Sequence, residues 1–323
     1  MHGTPQEVME TIEEKQRWTL DQKIFHFFEV LDLFYHKMEG KVYIGFSGGK
    51  DSTVMHTLCD KWTDMMGYPR IQLVFNNTTN EYADILTFVK GYGDRVTWLR
   101  PKMTFAQSLE VNGFPLVSKE QAQRISEAKH TKSDKLRNIR IFGTKRTSKE
   151  TKREYVSGKI SEKWMYLVYE DVEVTSKCCD ILKKAPVKKF EKETGLSPII
   201  GVMASESSLR KQQYNKTGTC NVYGVRNMCK PLSIFTEEDI WAIIDKFNIE
   251  ICPIYYDMVI DGEIVKGEER TGCAYCAFGI QYEDPENNKF HRLAKREPKR
   301  FLSFMDKLGF RRALGFLGIK LPE

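Results

Sequence analysis

From position 19 onward the apolar residues fall into helical step. Ile24, Phe27, Phe28, Leu31, Phe34 and Tyr35 recur at spacings that predict an amphipathic helix from Thr19 to Met38. A short apolar run, Lys41 to Phe46, then ends in Ser-Gly-Gly, and helical spacing resumes through Val54, Met55, Leu58, Cys59 and Trp62. This pattern reads as strand, glycine turn, helix. A second buried strand from Ile71 to Phe75 runs into Asn76, Asn77, Thr78 and Thr79. A helix through Tyr82, Ile85 and Val89 and a third strand from Val96 to Leu99 follow. Strands alternating with helices predict an α/β protein with a parallel sheet and helices on both faces. Ligands of such sheets gather beyond the C-terminal strand ends, so the Ser47 turn and the Asn76 to Glu81 segment are expected to flank one crevice. Further on, a strand from Pro198 to Met203 leads into Ala204-Ser205-Glu206-Ser207. An amphipathic helix spans Thr236 to Phe247, with Thr236 as N-cap and acids in its first turn. After Cys276 the chain turns basic and helical, through His291, Arg292 and Phe301 to Leu308.

Composition narrows the class. With 323 residues, 41% hydrophobic and 29% charged, the chain has room for one large domain with an appendage, or for two domains. The first 21 residues are polar, and no stretch approaches the roughly 20 apolar residues of a membrane span. The expectation is an unprocessed, soluble, cytoplasmic protein with no membrane partner. Four regions are expected: an N-terminal helical segment (1–40), a nucleotide domain (41–118 and 164–250), a basic insertion (119–163) and a C-terminal, mostly helical, cysteine-containing region (251–323). The formal charge of +6 is lopsided, because residues 119–163 hold fourteen Lys/Arg against six Asp/Glu. Low in apolar residues, that stretch reads as inserted or flexible rather than core. It is either a solvated charged face or, beside Trp164 and Tyr166, a contact for nucleic acid.

The segment Ser47-Gly48-Gly49-Lys50-Asp51-Ser52 carries the first candidate chemistry. A triphosphate needs donors converging on its oxygens, and backbone N–H groups at a glycine turn opening a helix supply them. Lys50 adds a mobile positive charge, Ser47 and Ser52 add hydroxyls, and Asp51 is a Mg²⁺ ligand or an N-cap. Lys50 and Asp51 are therefore the catalytic candidates, and Ser47 to Ser52 with Asn76 and Thr79 the ATP-binding set. The competing reading is a plain tight βα turn. The spacing is not that of a Walker loop, which argues against a motor or kinase-like NTPase.

Eight cysteines do not form the pattern of a secreted disulfide scaffold. Cys178 and Cys179 are adjacent, and Cys273 and Cys276 enclose two residues. Adjacent residues seldom chelate one tetrahedral ion comfortably, whereas an iron–sulfur cubane offers each thiolate its own iron, so a [4Fe-4S] cluster is favoured over zinc. Cys59 reads as a buried thiol on a helix, and Cys220, Cys229 and Cys252 are substitute ligands. His56 and His291 are assigned no catalytic role.

Taken together, these residues resemble the phosphoadenosine-phosphosulfate reductase family of the ATP-pyrophosphatase (PP-loop) superfamily, over roughly residues 40 to 290. The resemblance rests on Ser47 to Ser52; on Lys177-Cys178-Cys179-Asp180 followed by Lys183, Lys184 and Pro186; on Gly201 to Arg210; on Pro231-Leu232 through Trp241; and on Thr271-Gly272-Cys273-Ala274-Tyr275-Cys276. It implies an adenine-nucleotide α-hydrolase-like fold and a substrate border made by Lys177, Glu206, Ser207 and Arg210. It also implies that Cys178, Cys179, Cys273 and Cys276 are cluster ligands. For Glu206 and Arg210 the i,i+4 spacing equally suits an ion pair on a helix.

Two departures direct the reading. Sulfite-forming reductases use a cysteine near the C-terminus, and none follows Cys276 here. Their phosphate loops are also commonly degraded, whereas this one is intact and implies cleavage of ATP between the α and β phosphates. The pairing resembles the sulfur-inserting ATP pyrophosphatases of DNA phosphorothioation and tRNA thiolation. The expected function is adenylation of an acceptor, nucleic acid among the candidates, for sulfur transfer. ATP, Mg²⁺ and a cluster serve as cofactors, and a sulfur donor such as a cysteine desulfurase acts as partner, with a homo-oligomer or a complex as the setting. Sulfonucleotide reduction and a non-catalytic nucleotide- and cluster-binding subunit of a DNA-modification or defence complex are the alternatives.

Overall fold

The structure is a computed structural model that describes residues 11–148 and 151–322. The chain divides into two compact units. The first comprises the residues up to Asn76, Asp84–Leu99 and Val187–Tyr255; the second comprises Asn77–Ala83, Arg100–Pro186 and the residues from Tyr256 onward. Residues 100–118 and 164–186, expected with the nucleotide domain, thus cluster with the cysteine-bearing C-terminal region.

The first unit is built on a six-stranded sheet. Strands β1 (Val42–Gly45), β2 (Leu73–Asn76) and β3 (Val96–Leu99) pair in parallel, and β1 also pairs in parallel with Ser197–Ile200. Met228–Cys229 continues the parallel order, and Asn221–Val222 closes the edge antiparallel. The central strands are short apolar runs because both faces are covered. The Leu20–Lys37 helix buries Phe27, Leu31 and Phe34, the Lys50–Met66 helix buries Val54, Met55, Leu58, Cys59 and Trp62, and the Glu237–Phe247 helix buries Ile240, Ile243 and Ile244. Thr19 and Thr236 cap their helices through capping boxes, as the sequence signals. Lys23, almost fully buried, is neutralised by Asp239 at 2.6 Å.

The second unit is mainly helical, with the short parallel pair Leu116–Val117 and Ala277–Phe278 and two small hairpins. The basic stretch departs from its expectation. Its Lys119–His130 helix buries Ala122, Ile125 and Ala128, and Arg124 and Lys129 tie it down by donating to the carbonyls of Lys159, Glu170 and Val172. Among the described residues no helix is long and apolar enough to cross a membrane.

Candidate phosphate and thiol sites

The strands β1, β2 and Ser197–Ile200 run parallel, so their C-terminal ends share one edge of the sheet, and the glycine turn leaves β1 there. Gly48 holds φ +71°, and a Cβ on it would lie 2.7 Å from Val89 Cγ2 and 3.1 Å from Ile85 Cγ2. Both the left-handed backbone and the close neighbours demand glycine. Gly49 is the N-cap of the Lys50–Met66 helix and supplies no side-chain cap. The turn is wound on its own hydroxyls instead. Ser47 N–H donates to Ser52 Oγ at 3.1 Å, Gly49 N–H to Ser47 Oγ at 3.3 Å, and Ser52 Oγ donates to the Gly49 carbonyl at 2.9 Å. Asn76 ends β2 on the same edge, and a Cβ on Gly201 would come to 3.5 Å from the Asp51 carbonyl.

Lys50 sits at the helix start with only 3% of its side chain exposed. Its Nζ lies 2.8 Å from Glu237 and 3.3 Å from Asp51, and 5.3 Å over the Tyr255 ring. Burial pulls the ammonium pKa down, but the Glu237 hydrogen bond and the Asp51 charge outweigh it and the net shift is upward. The Lys50 N–H, one of the orphan donors of the helix N-terminus, donates to Tyr255 Oη at 3.0 Å. The site thus holds a cation and helix amides whose present partners are a half-exposed carboxylate and a phenol. His56 is a packed residue, 3.0 Å from Tyr92 Oη.

Beyond Ile200 the chain forms the predicted Glu206–Arg210 ion pair, and the Glu206 carboxylate accepts Met203 N–H at 3.0 Å. Ser207 caps the Ser208–Thr217 helix by accepting Arg210 N–H. Arg210 lines a small pocket, part of it open to solvent, with Tyr214, Thr219, Lys230 and Ser233.

Within the second unit, Cys178, Cys179, Cys273 and Cys276 line one small pocket, partly open to solvent, together with Asn80 and Lys183. Two segments 94 residues apart in the chain supply them. Cys178 opens the π-helical turn Cys179–Lys184. The Cys273 to Cys276 turn is held by Asn80, fully buried, whose carbonyl accepts Ala274 N–H at 2.7 Å and whose Oδ1 accepts Tyr275 N–H at 2.9 Å. Tyr275 stacks on Phe304 at 4.1 Å, and Arg300 lies 5.2 Å over the Tyr275 ring. A hydrogen bond donated by Cys178 holds the Cys179 thiol pKa down and its own up. The charge of Cys273 raises Lys183, and burial raises Cys276. Among the described residues no three His, Cys, Asp or Glu stand close enough to hold a single metal ion.

The remaining candidates are placed elsewhere. Thr79 belongs to the second unit with φ +65°, where its hydroxyl accepts Phe105 N–H at 2.7 Å. Lys177 is exposed one residue before the thiol pair. Cys220 and Cys229, considered as substitute ligands, are buried in the sheet edge of the first unit and line no part of the thiol cavity. Sequence reasoning missed Tyr255, Glu237, Asn80 and Arg300 as site residues. Glu237 was legible only as a first-turn acid, and no local pattern marks the other three.

Residues 130–278, a little under half of the chain, match the phosphoadenosine phosphosulfate reductase domain family. The matched stretch contains both cysteine pairs and Gly201 to Arg210, and lies outside the phosphate turn. Among curated proteins, the adenosine 5'-phosphosulfate reductase of Burkholderia cepacia is 24% identical over 122 residues, 38% of this chain and 44% of that protein. The match therefore spans less than half the length of that relative. Solved structures with a loose likeness include the phosphoadenylyl-sulfate reductase of Candida auris in a phosphate complex, at 11% identity and TM-score 0.40, covering 79% of this chain and 92% of that one. The U34-tRNA thiolase of Methanococcus maripaludis with its [4Fe-4S] cluster is similar at 14% identity and TM-score 0.39, covering 94% and 80%. No residue role is taken from either.

Proposed function

We propose that the chain is an ATP pyrophosphatase that adenylates an acceptor for sulfur transfer. The observation that carries this reading is the turn at the end of β1, where two serine hydroxyls and a nearly buried lysine gather within six residues at the N-terminus of a helix. Such a constellation suits a polyphosphate. In this reading the amides of Gly48 to Lys50 and the Lys50 ammonium hold the departing pyrophosphate. Asp51 would take Mg²⁺, and Asn76, at the end of β2 on the same sheet edge, would contact the nucleotide. An acceptor oxygen attacks the α-phosphorus, the bond to the β-phosphate oxygen breaks, and pyrophosphate leaves; sulfur then displaces AMP. Glu206, Ser207 and Arg210 are assigned to the acceptor.

Cys178, Cys179, Cys273 and Cys276 would hold a [4Fe-4S] cluster, and Lys183 would offset its negative charge. Bound there, the group would supply a place to hold sulfide. Support comes from the four thiols around one cavity and from the family match that contains both pairs.

The test is pyrophosphate release from ATP in the presence of candidate acceptors, with K50A and D51A as controls. Binding of ATP without turnover for any acceptor would leave only a nucleotide-binding subunit, and failure to bind ATP would end the proposal. Anaerobic purification with iron and sulfide analysis tests the cluster separately; a colourless protein with stoichiometric zinc would reverse that assignment. The family match favours a second reading, reduction of a sulfonucleotide, which sulfite formation with a thiol donor would reveal.

A further inference from the structure

Asn80 is fully buried, and all but one of its polar atoms are engaged. Its N–H donates to Thr78 Oγ1 at 3.3 Å and to Glu81 Oε2 at 3.2 Å. Its carbonyl accepts Ala274 N–H at 2.7 Å, and its Oδ1 accepts Tyr275 N–H at 2.9 Å. The Tyr275 bond fixes which way the carboxamide faces, because the flipped amide would set its NH2 group against another donor. Nδ2 is the exception. It is shielded from solvent and finds no acceptor among the described residues.

A buried amide donor without a partner is costly, and native proteins keep few of them. This one belongs to a residue lining the thiol pocket, beside Cys178, Cys179, Cys273, Cys276 and Lys183. Among the described residues it is the one orphaned side-chain nitrogen in that lining. The rest of the lining, Phe105, Pro115 and Leu182, is apolar and offers no side-chain acceptor.

The donor is also held in place. Thr79 precedes it with φ +65°, and the Thr79 hydroxyl accepts Phe105 N–H at 2.7 Å. Arg300 donates to the Thr79 carbonyl at 3.2 Å and to the Glu81 carbonyl at 2.6 Å, so the backbone on both sides of Asn80 is tied to one guanidinium. A donor fixed in advance spends little of its bond energy on ordering itself. Within a pocket of thiols, the acceptor it suits is an anionic sulfur. Hydrogen bonds to sulfur favour the more negative form of an iron–sulfur group, which makes it easier to reduce.

We propose that Asn80 Nδ2 donates a hydrogen bond to a sulfur of the cluster held by Cys178, Cys179, Cys273 and Cys276, and so raises its reduction potential. This role rests on the cluster reading above and adds to it a residue that sets the potential. The experiment is a redox titration of the anaerobically purified full chain, followed by visible absorption and by EPR of the reduced form, with iron and sulfide counted in every sample. Asn80→Ala removes the donor and adds no charge; the one-electron reduction equilibrium shifts about tenfold toward the oxidised form, about 59 mV. Asn80→Asp keeps an oxygen for Tyr275 N–H, loses the donor, and shifts the equilibrium in the same direction by at least as much. Phe304→Leu loosens Tyr275, whose ring stacks on Phe304 at 4.1 Å, without touching the donor or the charge, and leaves the potential nearly unchanged. An unchanged potential in either Asn80 variant, at unaltered iron and sulfide content, overturns the proposal and leaves the cluster standing. An equal shift in F304L also overturns it, since Asn80 would then act only as a brace for the turn. Should N80A hold no iron, N80D decides by the same criterion. An unmodified chain without iron and sulfide, or with zinc in their place, overturns the cluster reading and this role with it.

Discussion

The contact between Lys50 and Glu237 makes the sharpest prediction. A phosphate arriving at the turn must take the Lys50 ammonium from a carboxylate 2.8 Å away, and Glu237→Gln removes the competing charge while keeping a similar shape. The magnitude follows from exposure. Lys50 is 3% exposed but Glu237 is 49% exposed, so water screens the pair and its worth stays near the upper end for surface ion pairs, about 1 kcal/mol. Released on binding, that energy corresponds to about fivefold tighter association. The assay is isothermal titration calorimetry of Mg·ATP and of pyrophosphate at about 0.1 M salt, where screening is moderate. K50A sets the opposite limit, losing a charge-assisted contact of about 1.5 to 3 kcal/mol, roughly ten- to a hundredfold. Helix N-terminal charge is also lost in the Gln variant, which lowers stability by about 0.5 kcal/mol. If E237Q binds ATP no better than the unmodified protein while K50A abolishes binding, Glu237 is not the competitor and the reasoning from the contact fails. If K50A too is without effect, the phosphate reading itself fails.

Further outcomes can be checked independently. Gly48→Ala puts a Cβ against Val89 and Ile85 at φ +71°, so it should weaken ATP binding and lower the melting temperature in calorimetry by more than a surface substitution does. Serine at any of Cys178, Cys179, Cys273 or Cys276 should reduce iron content and visible absorption after anaerobic purification, whereas serine at Cys220 should leave the spectrum intact. Asn80→Ala leaves Tyr275 N–H without its 2.9 Å acceptor and should cost about 1 to 3 kcal/mol in urea unfolding, with Asn80→Asp milder because it keeps an oxygen there. Burial lowers His26 from its ordinary 6.5 to about 4, so between those values the unfolded chain binds a proton that the folded chain refuses. Stability should therefore fall as pH drops from about 6.5 towards 4, and His26→Gln should flatten that limb of the urea midpoint against pH.

Local periodicity made the first unit readable. The helix of Phe27, Leu31 and Phe34, the apolar run of β1, and the helix of Val54 to Trp62 all form where their spacing places them, because each element buries one continuous stripe or run. The glycine turn was equally legible, since the need for φ > 0 and for close approach is written in residue type. Strand limits shifted by a residue or two, with β2 at Leu73–Asn76 rather than Ile71 to Phe75, because pairing with β1 and β3 sets where the ladder begins. The 119–163 stretch showed the limit of composition: its low apolar content hid a helix that buries Ala122, Ile125 and Ala128 and is tied down by Arg124 and Lys129.

By itself the sequence determined the first strands and helices, the glycine turn after β1 and the presence of two cysteine pairs, because each is fixed by neighbours a few residues apart. Tertiary structure alone decided that Glu237 and Tyr255 engage Lys50, that Asn80 holds the Cys273 to Cys276 turn, and that four thiols face one cavity. It also decided that Arg124 and Arg140 of the basic stretch pair with Glu120 and Glu127. The physical reason is the same in each case. These contacts join residues far apart in the chain, or depend on strand register, and carry no periodicity that a linear reading can detect.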